Sequence, residues 1–107
     1  MEVNTQFSVF LVNQPGILAN LIDEIADRKI NLIALTIVDL HEQGVGRLVA
    51  EKPEQVRQVL KDQNLQFTEA KVLMIELQNR PGALARVVRR LADEHVNIEY
   101  AYVTSGA

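Results

Sequence analysis

Two hydrophobic rhythms alternate along the chain. Residues 6–12 are rich in β-branched and aromatic side chains, with Phe7, Val9 and Leu11 on one face and Phe10 and Val12 on the other, which predicts a strand. Pro15 then opens a run in which Leu18, Leu21, Ile22 and Ile25 stand at i, i+3, i+4 and i+7, the stripe of an amphipathic helix. Arg28 and Lys29 close that run, where cations suit the helix dipole, and Asn31 begins a second strand over residues 32–39. His41-Glu42-Gln43-Gly44-Val45-Gly46 predicts a glycine-bearing hairpin turn, with a third strand at residues 47–50. Pro53 suits the first position of a second helix, because its missing N–H costs nothing there, and that helix carries Val56, Val59 and Leu60. A fourth strand over residues 66–71 completes the order βαββαβ, an α+β, ferredoxin-like two-layer sandwich.

The rhythm then begins again. A shift of 66 residues pairs Asn13, Pro15 and Gly16 with Asn79, Pro81 and Gly82, without a gap. The same shift pairs Leu18 with Leu84, Ala19 with Ala85, Ala26 with Ala92, Asp27 with Asp93 and Asn31 with Asn97. The second copy predicts a strand over 71–77, a helix striped by Leu84, Val87, Val88 and Leu91, and a strand over 98–103. Residues 1–71 thus read as one complete module, and residues 72–107 as the first half, βαβ, of a second. A half-module of this plan lacks the strand that lies between its first and second. The expectation is that the chain is a truncated form of a longer tandem protein; the alternative is completion of the half-module on another chain.

Asn13-Gln14-Pro15-Gly16-Ile17-Leu18-Ala19 and Asn79-Arg80-Pro81-Gly82-Ala83-Leu84-Ala85 resemble the ligand loop of the ACT domain family. Ile30-Asn31-Leu32 and Val96-Asn97-Ile98 are similar to that family's helix-to-strand turn. The resemblance implies a small tandem-ACT protein that regulates metabolism without catalysing a reaction. It would bind an amino acid or related metabolite where modules or subunits meet. It also implies the site residues: Asn13, Gln14, Pro15, Gly16, Ile17, Leu18, Asn31 and Leu32 from the first copy, and Asn79, Arg80, Pro81, Gly82, Ala83, Leu84, Asn97 and Ile98 from the second. By the same analogy, Asn31 and Asn97 would face the neighbouring module's loop.

Elementary chemistry points the same way. A helix N-terminus offers unpaired N–H groups and a partial positive charge to a carboxylate. Gly16 and Gly82 have no Cβ to hold a ligand off the backbone, and the prolines preset the direction of the chain. Asn13 and Asn79 either cap the helices or pair with the ammonium and carboxylate of a ligand. Asparagine before Pro-Gly is also ordinary turn chemistry, and that plainer reading explains the turns equally well. Gln14 against Arg80 makes the two loops unequal.

Composition narrows the function classes. A net charge of -3 gives no basic excess for nucleic acid, and no cysteine is available for disulfides, thiol catalysis or a thiolate-bound metal. No apolar run is long enough to span a membrane, and the N-terminus lacks signal-peptide features, so the cytoplasm is the expected compartment. His41 and His95 lack metal-ligand spacing, so no metal and no cofactor are expected. The glycine-rich phosphate loop of a ferredoxin-like acylphosphatase is missing, and no paired nucleophile and base is evident. Phe10, Tyr100 and Tyr102 are expected to pack at an interface. Asn20, Asp23 and Glu24 correspond to Arg86, Arg89 and Arg90, which reads either as two solvated faces or as charges that favour copy one beside copy two in a homo-oligomer, expected to be a dimer. The remaining alternative function is an assembly domain of the same fold with no ligand.

Overall fold

The computed structural model describes residues 2–12, 16–40, 43–98, 101 and 102. The elements run β1 (Glu2–Val12), α1 (Ile17–Asp27), β2 (Leu32–Leu40), β3 (Gln43–Ala50), α2 (Pro53–Asp62), β4 (Gln66–Met74) and α3 (Ala83–Asp93). Four strands form one antiparallel-paired sheet in the order β2-β3-β1-β4, so the third strand lies between the first and second as the ferredoxin-like plan requires.

Strand alternation decides what the sheet buries. Phe7, Val9 and Leu11 of β1 and Leu48 and Ala50 of β3 meet Leu21 and Ile25 of α1 and Val56, Val59 and Leu60 of α2 in one apolar core. Full burial of a side chain such as Phe7 or Leu60 contributes about 1.5–3 kcal/mol, so this cluster dominates the stability of the first module. Arg57 lies over the Phe7 ring, 5.9 Å from its centroid, and its guanidinium donates to both carboxylate oxygens of Glu69 at 2.7 and 2.6 Å. Those hydrogen bonds hold the Glu69 carboxyl below its ordinary range. Arg28 links α1 to the end of α2 through Glu24 and Asp62, and it lowers the Asp62 carboxyl likewise.

The other sheet face is partly covered, with Gln66, Thr68 and Ala70 of β4 exposed on it. Val45 and Val49 of β3, Ala34 of β2 and Gln6 of β1 are buried there. The Tyr102 hydroxyl donates to Gln6 Oε1 at 2.8 Å, which brings the end of the second copy back onto this face. Phe10 is half-buried on the same face. Tyr100 lies outside the described residues.

Several boundaries differ from those the pattern predicts. Gly44 and Gly46 lie inside β3, paired with Leu11 and Val9, and Leu40 pairs with Gln43. Only His41 and Glu42, outside the described residues, separate the two strands. A Cβ on Gly46 would stand 3.3 Å from Ile37 Cδ1 and 3.4 Å from Leu11 Cδ1, so this glycine makes room for close packing and does not turn the chain. β1 starts at Glu2 and β4 runs on to Met74, because residues 2–5 pair with residues 71–74. Thr5 pairs with Lys71, its own repeat equivalent, so the two first strands run antiparallel about a local twofold, and Lys71 Nζ donates to Thr5 Oγ1 at 2.9 Å.

The second copy is less enclosed. No residue of α3 is buried, and Leu73, Leu77, Leu84, Val88, Val96 and Ile98 are all at least 40% exposed. In copy one the equivalent stripe packs against α2 and β1; α3 makes no comparable contact with another element among the described residues. Ile75 to Gln78, Val96 to Ile98, Ala101 and Tyr102 are in no strand.

The helix ends repeat in detail. Lys29 and its equivalent His95 take left-handed φ values of 58° and 61°. In each case the next residue reaches back to close the helix, Ile30 N to Ile25 O at 3.1 Å and Val96 N to Leu91 O at 2.9 Å, the Schellman arrangement. A side chain in this conformation is strained, so Lys29→Gly should stabilise the chain by about 0.5–1 kcal/mol in urea titration; an unchanged or lower midpoint contradicts this account of the cap.

Candidate functional site

Both Asn-x-Pro-Gly loops deliver the chain to a helix through glycine. Gly16 is the N-cap of α1 at φ 91°, ψ -14°, and Gly82 is the N-cap of α3 at φ 87°, ψ -12°. A residue with a Cβ is disfavoured there, which explains why glycine and no other residue stands at both places. Each helix then begins one residue later, two residues after the proline. Asn20 N donates to Gly16 O at 2.8 Å and Arg86 N to Gly82 O at 3.1 Å, so the first helical turn is formed in both.

Among the described residues no side chain caps either helix. Asn79, three residues before Gly82, stands too far from the first turn to take the capping role that the sequence left open for it, and it is exposed. Asn13, Gln14 and Pro15 lie outside the described residues. Among the described residues, its chain neighbours aside, nothing lies within 4 Å of a Cβ built on Gly16 or Gly82. As far as those residues go, the approach to both helix starts is open, with first-turn N–H groups and the positive end of the dipole beneath it.

The structure separates the expected site residues into two ends of the module. Gly16, Ile17 and Leu18 sit at the end of the sheet where Val12 pairs with Gln43. Asn31 and Leu32 sit at the other end, where Leu32 pairs with Ala50 and Asn31 Nδ2 donates to Glu51 Oε1 at 3.3 Å. An α1 of 11 residues rises about 16 Å, so Asn31 cannot join the Gly16 loop of its own module at one small ligand. In the second copy Arg80, Pro81, Gly82 and Ala83 form a continuous turn, closed by Ala83 N donating to Arg80 O at 3.3 Å. Leu84 is exposed beside it, while Asn97 and Ile98 are exposed beyond the far end of α3.

One lining was not legible in the sequence. Beside the start of α1, Ile17, Asn20, Asp23, Glu24, Gln63 and Leu65 border an open groove of about 500 Å³. Gln63 Nε2 donates to Asn20 O at 3.2 Å and anchors the end of α2 against it. The groove depends on how α2 is laid over α1, and no local spacing announces that. Among the described residues no group of three His, Asp or Glu is placed to hold a metal ion. Among the described residues no helix is long and apolar enough to cross a membrane.

A ferredoxin-like sheet whose first strand-to-helix loop is glycine-opened, and which restarts in the same chain, defines a paired ACT architecture. The profile of the ACT domain pair family matches residues 1–105. Protein BT0572 from Bacteroides thetaiotaomicron is similar at 36% identity and a TM-score of 0.89, over 97% of this chain and 72% of its own. The regulatory subunit of aspartate kinase from Thermus thermophilus superposes at a TM-score of 0.68 and 16% identity, over 97% and 82% of the two chains. The aspartokinase alpha and beta subunits do so at 0.62 and 13%, over 97% and 81%. The last two likenesses, at such low identity, concern the fold. No curated protein matches the chain. The chain belongs to the ACT domain pair family.

The left-handed glycines give a direct check. With open space around them, Gly16→Ala and Gly82→Ala introduce strain and no clash. Gly16→Ala should lower stability by about 1 kcal/mol or more in chemical denaturation, and Gly82→Ala should reduce the helicity of α3; parent-like behaviour in both contradicts the φ assignment.

Proposed function

We propose that this chain is a regulatory, non-catalytic module of the cytoplasm that binds an amino acid or a related small metabolite. The ligand sits at an interface between modules or subunits, with its carboxylate at the helix start that an Asn-x-Pro-Gly loop opens. The observation that carries this reading is the pair of matching helix starts, each opened by a left-handed glycine and, among the described residues, uncapped by a side chain and clear of neighbouring atoms. The separation of Asn31 from Gly16 supports an interface site, because a pocket that uses both turns draws them from different modules. Family membership supports the ligand class, as does a similar fold in a protein described as the regulatory subunit of aspartate kinase.

In this reading residues 1–71 are a complete module and residues 72–107 the first half of a second, and the partners are the metabolite and a second chain, with neither nucleic acid nor membrane. Arg80 sets the second loop apart by adding a cation beside the helix start, which suits a ligand with a further carboxylate. A second reading, an assembly domain without ligand, draws on the exposed stripe of the second copy. Isothermal titration against the common amino acids separates the two. Saturable heat with at least one compound is expected, weakened about tenfold or more by Gly16→Val or Gly82→Val; no heat with any compound leaves the assembly reading.

A further inference from the structure

We infer that the first module takes a basic amino acid, its carboxylate at the start of α1 and its side-chain cation in the groove between α1 and the turn from α2 into β4. The inference rests on the reading that a helix start receives the carboxylate, and it adds the chemical class of the ligand's side chain.

The groove and the helix start are neighbours. Ile17, the first residue of α1, borders the groove, and Asn20, Asp23 and Glu24 continue that border along the helix. Gln63 and Leu65, where α2 gives way to β4, form the other side. The volume of about 500 Å³ falls within the roughly 300–1,000 Å³ usual for small-ligand sites. Glu24 stands seven residues beyond Ile17, about 10 Å further along the helix axis. That is the order of the span from carboxylate to side-chain cation in an extended lysine or arginine.

The lining matches such a ligand along its length. Ile17 and Leu65 are half-buried against the core and offer apolar surface to a methylene chain. The polar side chains of the border, Asn20, Asp23, Glu24 and Gln63, all carry oxygen acceptors, and no Lys, Arg or His joins them among the described residues. Gln63 gives its Nε2 to Asn20 O, which leaves its carbonyl oxygen to accept. Arg28, one turn beyond Glu24, is held by Glu24 and Asp62 at 2.8 Å each. The carboxylates of Asp23, Glu24 and Asp62 thus surround one guanidinium, and the exposed Asp23 is in no ion pair among the described residues. A groove that is apolar near the helix start and negative at its far end suits a donor-only ammonium or guanidinium and opposes a second carboxylate.

The second copy carries arginine at all three equivalent helix positions, Arg86, Arg89 and Arg90. A basic ligand is repelled there, so it binds at one site per chain, while a ligand with a further carboxylate is directed to the second loop.

Calorimetric titration of the full chain with L-lysine, L-arginine, L-norleucine and L-glutamate tests the inference. Norleucine keeps the carbon chain of lysine and lacks only the terminal ammonium. Lysine or arginine should bind at one site per chain, about fivefold or more tighter than norleucine or glutamate, and less tightly as salt rises. Asp23→Asn and Glu24→Gln, checked for folding by circular dichroism, should each weaken the basic ligand about threefold or more and leave norleucine within about twofold. Norleucine or glutamate bound as tightly as the basic amino acids, two equal sites per chain for the basic ligand, or unchanged basic-ligand affinity in both variants would each overturn the inference and leave the carboxylate reading standing. Absence of heat with every amino acid overturns it together with that reading, so the two failures are told apart.

Discussion

Everything in the molecule hangs on the central position of its first strand. β1 carries Phe7, Val9 and Leu11 into the core under two helices, and it hydrogen-bonds to β3 on one side and β4 on the other. Its opposite face carries Gln6, Ser8 and Phe10, and Tyr102 folds back onto the buried Gln6 there. Because residues 2–5 also pair with residues 71–74, the same strand joins the two repeats. One segment thus anchors the core, completes the sheet and sets the start of the second copy. The helix start at Gly16 is held at the end of this strand, so its position is inherited from the most buried part of the protein.

The glycine-opened turn is the second constraint, and it works through backbone geometry. With φ near 90°, Gly16 and Gly82 turn the chain sharply into a helix, and among the described residues no side chain caps its first N–H groups. The repetition of these angles within a few degrees, and of the left-handed closures at Lys29 and His95, shows that the repeat holds for the backbone as well as for the sequence. Enclosure does not repeat. The α1 stripe is sealed by α2 and β1, while that of α3 stays open among the described residues, so equal local geometry sits in unequal surroundings.

Much of the fold was legible because the chemistry that determines it is local. The stripe of Leu18, Leu21, Ile22 and Ile25, the proline that opens α2 and the repeated turn are short-range patterns, and each marked its element. What the pattern misassigned depended on distant partners. Gly44 and Gly46 look like turn residues until the packing of Ile37 and Leu11 gives a reason for having no side chain inside β3. The extension of β1 and β4 follows from pairing across the repeat, and the strand expected over 71–77 stops at Met74, where that pairing ends. At the candidate site, the motif falls on the two left-handed glycines Gly16 and Gly82, but only the sheet register places Asn31 at the far end from its own loop. The groove beside Ile17 and Asn20 needed the placement of Gln63 and Leu65 and had no signature in the sequence.

The central claim is that the two helix starts receive the ligand carboxylate. Amide chemical shifts of isotopically labelled chain, followed while an amino acid is added, test it most directly. The account predicts the largest shifts at Gly16, Ile17 and Leu18 or at Gly82, Ala83 and Leu84, with the two sets saturating at different concentrations because Gln14 and Arg80 differ. Saturable shifts confined to surfaces away from both loops would contradict it.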